Sequence, residues 1–509
     1  MHEVINISIS PTANNTTTHF NNLQESNLHL TESTSSSPYD PDVHFTDEVL
    51  PLQGANYYPR TLLWEYEDGY GALGQFEYFE DPQERQKLNA MVNANSEISS
   101  SYKVIRTGDK VSKNEYQRAL DANLPTQGKL NTENTKYWSD FSRVLYKPSS
   151  MNKLSRWNYD TESHGGILSL HPERKFEDYS IGVNEFKENA IGDDFVDENF
   201  RNLLENCDLA TGVNLLTEVD SGWAGFSSSL LDTLRDTYVP KLPVLTWGFY
   251  QDHGPEFSLN RQLSRIRATV SLVSNSSLFL PLSDHPENLP SWVDYGSLWH
   301  TSTFSTVPFE FINSIGSQKQ NRYGFSDIVD GLTLGESKRN VVSHIRFLQD
   351  QTVFDVSASS IYKHISANGK NGRGQKNYKS HCFTHAIVTK PLLANKSLTE
   401  SLQNEIKEKL GDPTGNGSLQ TEFSRTFDLD IRYNHQKLDS FPPEFNKMEQ
   451  PIASSFSVTD RPRKMFMEMD SFVSRYCRGD DREELKDELY NLKSAFESGW
   501  YDSDSDYDD

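Results

Sequence analysis

Cys207–Leu231 reads CDLATGVNLLTEVDSGWAGFSSSLL, and this stretch decides the fold. After Gly212, the apolar run Val213–Val219 reads as a strand. Asp220–Phe226, punctuated by Gly222 and Gly225, reads as the loop that follows it. Ser227–Tyr238 sets Leu230, Leu231, Leu234 and Tyr238 on one side of a helix, and Leu242–Tyr250 reads as a second strand. Upstream, Phe195, Phe200, Leu203, Leu204 and Cys207 follow helical spacing, with Asp193 and Asp194 placed to cap the N-terminus. Helix, strand, helix and strand in that order predict parallel βα units in an α/β sheet. A helix over about 260–274 leads into the apolar run Leu278–Leu282 and continues the plan.

Toward the N-terminus, Glu3–Ile9 alternates polar and apolar residues as a strand does, and Arg60–Tyr66 reads as a buried strand between Pro59 and Gly69. Asn14–Pro38 is rich in Asn, Thr and Ser and reads as a flexible insertion. Beyond 300, Val341–Leu348 looks helical and Lys379–Thr389 strand-like, which suits a mixed α+β domain. Leu485, Leu489, Leu492 and Phe496 mark one face of a helix over 480–497. The expected division is therefore 1–125 and 126–295 for the two parts of the first domain, with a polar insertion around 26–50. An intermediate α+β domain over 300–445, a helical region over 446–498 and a disordered acidic tail over 499–509 follow.

The 509 residues are enough for two or three domains. Aromatic residues make up 12% of the chain, which points to packed domains diluted by polar loops. A formal net charge of −24 disfavours direct nucleic-acid binding, because phosphate neutralisation needs clustered Lys and Arg. Cys207, Cys382 and Cys477 are widely separated and form neither a disulfide framework nor a CxxC zinc site, which fits a reducing compartment. No apolar run is long enough to span a bilayer. The first basic residue is Arg60, preceded by seven acidic ones, the opposite of a mitochondrial transit peptide.

The 207–231 stretch resembles tubulins without a gap. Cys207 matches a helix-ending Cys, Gly212 follows five residues later, and Asp220–Phe226 occupies the place of the GGGTGSG loop. Ser229-Leu230-Leu231 matches the start of the next helix, while MHEVINISI and Pro59-Arg60 resemble the first strand and the PRAVFVD segment. More closely, the chain resembles the Misato family, in particular its fungal branch associated with mitochondrial DNA inheritance. Trp138-Ser139-Asp140-Phe141, Lys147-Pro148-Ser149-Ser150, the Glu-Asn-Cys-Asp run at 205–208, Leu230–Tyr238 and Gly71–Gly74 carry that likeness. It implies a tubulin/FtsZ-like parallel-sheet domain of the nucleotide-binding type, an intermediate α+β domain and C-terminal helices. It further implies a mitochondrion-associated and cytoplasmic protein that serves mitochondrial distribution and DNA partitioning through protein partners, cytoskeletal or mitochondrial.

The same register bears on GTP. Glycines let backbone N–H groups approach a phosphate at a helix N-terminus. Here the seven positions read Asp220, Ser221, Gly222, Trp223, Ala224, Gly225 and Phe226, and only Gly222 coincides with a tubulin glycine. A carboxylate at Asp220 would oppose each phosphate charge by on the order of a kcal/mol or more, and Trp223 and Phe226 add bulk. After the first strand, Ser10-Pro11-Thr12-Ala13 replaces Gly-Gln-Ala-Gly, and Pro11 removes a donor. Glu67 matches an acidic position that approaches a bound metal in the family. The expectation is a scaffold without catalytic residues or bound GTP. The alternative is an active GTPase that polymerises or co-assembles with cytoskeletal filaments.

Other motifs read as ordinary structure. Gly69-Tyr70-Gly71-Ala72-Leu73-Gly74 fits G-x-G-x-x-G after a strand, but no helix pattern opens on its last glycine, so a turn is expected. His381-Cys382-Phe383-Thr384-His385 reads as a strand rather than a metal site, and His164-Gly165-Gly166 as a turn. In the tail Tyr501–Asp509, Ser503 and Ser505 each have an Asp three residues on, a pattern acidophilic kinases accept.

Overall fold

The computed structural model describes residues 2–33, 39–50, 54–73, 111–251, 258–284, 289–347, 351–355, 381–389, 421–428, 438–448, 453–479 and 481–497. Its strands are β1 (Glu3–Ile9), β2 (Phe45–Leu50), β3 (Gly54–Pro59), β4 (Thr61–Glu67), β5 (Met151–Tyr159), β6 (Gly166–Leu168), β7 (His171–Lys175), β8 (Ala210–Glu218), β9 (Val244–Tyr250), β10 (Leu278–Ser283), β11 (His344–Phe347), β12 (Gln351–Asp355), β13 (Cys382–Thr389), β14 (Thr421–Asp428) and β15 (Ala453–Thr459). The helices are α1 (Pro11–Ser33), α2 (Glu115–Asp121), α3 (Tyr179–Lys187), α4, α5 (Gly222–Thr237), α6 (Leu259–Asn275), α7 (Leu298–Gly316), α8 (Phe325–Thr333), α9 (Pro443–Lys447), α10 (Arg461–Tyr476) and α11 (Asp481–Ala495). Helix α4 runs through Ile191–Asp194, a π-helical Phe195–Phe200 and Arg201–Glu205.

The larger sheet has the order β10-β9-β8-β1-β4-β5-β6-β7. β10 through β5 pair in parallel, with Ile7 opposite both Leu62 and Leu215, and β5, β6 and β7 close the far edge antiparallel. Strands covered on both faces need no polar alternation, so β9 and β10 are buried at every position. One face carries Trp64, which meets Phe195 of α4 and Phe226 of α5. The opposite face carries Asn214, whose amide donates to Asn313 of α7 at 2.7 Å.

The second sheet, β12-β11-β15-β13-β14, joins the first where Val342 N–H donates to the Phe279 carbonyl on β10. One apolar cluster runs from Ile7 through Phe279 and Phe456 to Leu489. No helix among the described residues is long and apolar enough to cross a membrane.

Four expectations need correction. Asn14–Ser33 is not a flexible insertion but most of α1, and the 26–50 span ends in strand β2. The polar side chains of α1 are paired inside the protein: Thr18 Oγ1 donates to the Asn14 carbonyl, Asn22 to Phe141, and His19 meets the Trp299 carbonyl. Val341–Leu348 is not helical, since β11 pairs with β12 and β15. The first domain does not stop near 295, because α7 packs on α1. The 446–498 region is not wholly helical either, because β15 lies at the centre of the second sheet.

Residues 75–80 and the tail 498–509 lie outside the described residues.

Candidate functional site

In open α/β sheets, ligands bind beyond the carboxyl ends of the strands. Here the ends of β1, β4 and β8 face the N-termini of α1 and α5. Ser10 links β1 to α1 at a φ of 126°, a backbone shape suited to glycine that persists without one. Its hydroxyl accepts the Ala13 N–H at 3.2 Å.

Glu218 and Glu65 bring carboxylates to this end of the sheet. Glu218 Oε1 accepts the Thr12 hydroxyl at 2.8 Å and the Thr12 N–H at 3.4 Å, and Oε2 accepts the Ser221 hydroxyl at 2.9 Å. Glu65 accepts the Asn14 amide and the Tyr66 N–H, both at 2.9 Å. Burial pushes Glu65 up to about 8, against the pull of its hydrogen bonds, with a smaller upward push from Glu218. Burial raises Glu218 as well.

The segment read as a loop is already helical at Gly222, with Ser221 as its cap accepting the Trp223 N–H at 3.3 Å. Its side chains therefore point elsewhere than the sequence suggests. Asp220 does not face an anion: its carboxylate pairs with Arg265 of α6 and accepts the Gln251 N–H at 2.7 Å. Trp223 packs on Tyr66 and Phe176, and Phe226 on Trp64 and Phe186, so both rings fill the core. Ala224 is buried beside them.

The two glycines serve helix packing. Gly222 N–H donates to the Phe176 carbonyl at 2.9 Å. A Cβ on Gly225 would stand 1.9 Å from the Tyr179 carbonyl oxygen, and one on Gly182 of α3 would stand 1.6 Å from that of Gly222. Helix α3 thus lies directly on the start of α5, where only glycine lets two backbones approach so closely.

Glu67, two residues beyond Glu65, accepts Lys153 Nζ at 2.6 Å in a partly exposed ion pair. Among the described residues no three His, Cys, Asp or Glu side chains converge as a metal site, His381–His385 included. Gly69–Leu73 forms hydrogen-bonded turns in which a Cβ on Gly71 would strike Tyr137, in keeping with the turn reading; Gly74 lies outside the described residues. His164 occupies the β5–β6 turn and bridges Tyr159 and the Gly296 carbonyl.

Two signature segments meet at the opposite end of the sheet. Arg60 Nη1 donates to the Asn206 carbonyl at 3.1 Å and lies 3.6 Å from Cys207 Sγ. Burial pushes the Cys207 thiol up to about 11, with Arg60 pulling the other way. Sequence reasoning missed Glu65, Glu218 and Arg265. The one available signal was acidic residues at the ends of two apolar strands.

A parallel sheet whose strand ends face two helix N-termini, followed by a long central helix and a second sheet, defines a tubulin-like protein. The Misato Segment II tubulin-like domain matches residues 2–122, and the Tubulin domain matches residues 127–316. Protein DML1 of Kluyveromyces lactis is 31% identical to this chain over 99% of each. The proteins of that name from Debaryomyces hansenii and Yarrowia lipolytica are each 29% identical over 100% of both chains. The chain belongs to the Misato/DML1 family of tubulin-like proteins.

Proposed function

We propose that the protein is a non-enzymatic tubulin-like scaffold that works without bound nucleotide. Its role is to support partitioning of mitochondria and inheritance of mitochondrial DNA through protein contacts, cytoskeletal or mitochondrial. One observation carries the nucleotide-free reading. The Gly222 N–H, at the glycine shared with the tubulin loop, donates to the Phe176 carbonyl, and α3 covers the helix start at backbone contact. A donor already satisfied inside the protein offers a phosphate nothing unless the Phe176 carbonyl moves away. Catalysis of phosphoryl transfer is almost entirely positioning and electrostatic stabilisation, so a lost phosphate cradle leaves little for it to act with. The mitochondrial role and a cytoplasmic, mitochondrion-associated location rest on the family resemblance.

Freshly purified protein, denatured and analysed by ion-exchange chromatography, should release no guanine nucleotide and should not hydrolyse GTP above background. Stoichiometric GTP or GDP would overturn the reading in favour of the filament-forming GTPase. Depletion in cells should cause loss of mitochondrial DNA, and normal inheritance in depleted cells would remove the partitioning role.

A further inference from the structure

Glu218 ends β8 and meets both helices whose N-termini close the site. Oε1 takes the hydroxyl and N–H of Thr12 in the first turn of α1. Oε2 takes the hydroxyl of Ser221, the cap of α5. The positive ends of two helix dipoles therefore converge on one carboxylate, an arrangement that elsewhere holds a phosphate. Asp220, two residues on, turns away to Arg265, so the two acids have separate partners. Among the described residues nothing basic pairs with Glu218: its partners are hydroxyls and a backbone amide, and the Glu65 carboxyl is its titratable neighbour.

We propose that Glu218 is a built-in anion, occupying the place between α1 and α5 that a nucleotide phosphate takes in a working tubulin-like site and locking the two helices without a ligand. The inference rests on the nucleotide-free reading but goes further. It assigns the occupant, a side chain of this chain, and predicts that its removal leaves an anion-accepting gap. The carboxylate is an autoinhibitory contact as well as a clamp, because a phosphate could reach Thr12 and Ser221 only by displacing it.

The test compares wild type, Glu218→Ala and Glu218→Gln by thermal melting, with and without inorganic phosphate, at constant ionic strength with chloride as the control. Glu218→Ala should melt several degrees below wild type, and phosphate should restore part of that loss while leaving wild type unmoved. Glu218→Gln retains an acceptor oxygen and fills the gap, so it should melt between the two and gain less from phosphate. Equal melting of all three variants, or a phosphate shift as large in wild type as in Glu218→Ala, would overturn the proposal. Should Glu218→Ala fail to fold, hydrogen exchange at the Thr12 amide in Glu218→Gln decides. Exchange accelerated over wild type supports the clamp, and unchanged exchange refutes it. Nucleotide found in purified wild type would instead refute the nucleotide-free reading, so the two failures are separable.

Discussion

Asp220 and Arg265 meet at two points, with only 2% of either side chain exposed. Gln251 completes the arrangement: its N–H reaches Asp220, and its carbonyl accepts Arg265 Nη2 at 3.0 Å. The pair fastens the start of α5 to α6 and to the end of β9. Its charge is consumed inside the protein, so the segment's acidity says nothing about repelling a ligand.

Removing one partner strands the other in a poorly solvated place. Arg265→Leu should lower the unfolding free energy by about 3–5 kcal/mol, while removing both charges together should cost less than the sum. Asp220→Gly belongs in the same class, since it takes from the buried Arg265 guanidinium its carboxylate. Urea denaturation of Asp220→Gly, Arg265→Leu and the double Asp220→Gly/Arg265→Leu checks this. Strict additivity would show that the pair is not a unit.

The contact between α3 and α5 makes an unusual demand on alanine. In most helix interiors Gly→Ala gains up to about 1 kcal/mol. At Gly225 and Gly182 the added carbon would meet backbone oxygens below 2 Å (1.9 and 1.6 Å), and backbone cannot swing aside as a side chain can. Each substitution should therefore destabilise by roughly 1–3 kcal/mol or more. Gly316→Ala in α7 is the control, because its nearest neighbour would lie at 3.7 Å, and it should be neutral or mildly stabilising. Chemical denaturation of the three variants separates these expectations.

Trp223 supplies the central ring between Tyr66 and Phe176 and is fully buried. Trp223→Ala should cost about 3–5 kcal/mol. Addition of GTP should not offset that loss, since the ring fills a core rather than a nucleotide pocket. A melting shift produced by GTP in this variant would contradict the assignment.

The parts of the fold legible in the sequence are those whose pattern is local. Val213–Val219, Leu230–Leu234 and Leu278–Leu282 declare β8, α5 and β10 through apolar runs and periodicity, and the tubulin-like class follows from their register. Helix α1 stayed hidden because NNTTTHFNN is polar and yet buried, its side chains satisfied by partners as distant as Trp299 and Tyr146. Helix α7 is enclosed on every side, which removes the polar face that would betray a helix. The site failed for the same reason. Glu218 takes its meaning from Thr12, Asp220 from Arg265 and Gly225 from Tyr179, and none of these pairs is adjacent in the chain. The segment thus showed that its seven positions differ from a phosphate loop, but not what those residues do instead.

Four buried groups give stability a pH profile whose sign can be worked out. Glu65 is pushed up to about 8 and Asp140 to about 7, both chiefly by burial. His19 and His44 are held down to about 3, again chiefly by burial. The acids have folded values above their unfolded ones, so their contribution is complete below the unfolded carboxylate range and lost as pH rises through 7 to 8. The histidines have folded values below 6.5, so theirs is complete above 6.5 and lost as pH falls toward 3. Between the ordinary carboxylate range and 6.5 the two trends oppose each other. Melting temperature should therefore be nearly level there, falling on the alkaline side up to about 8 and again on the strongly acid side. Glu65→Gln keeps an acceptor for Asn14 and removes the ionisation, so its alkaline decline should be shallower and end near 7, where Asp140 finishes titrating. Calorimetry of both proteins at fixed ionic strength reads the difference directly. An unchanged alkaline slope in Glu65→Gln would mean that Glu65 is not the group that ionises there.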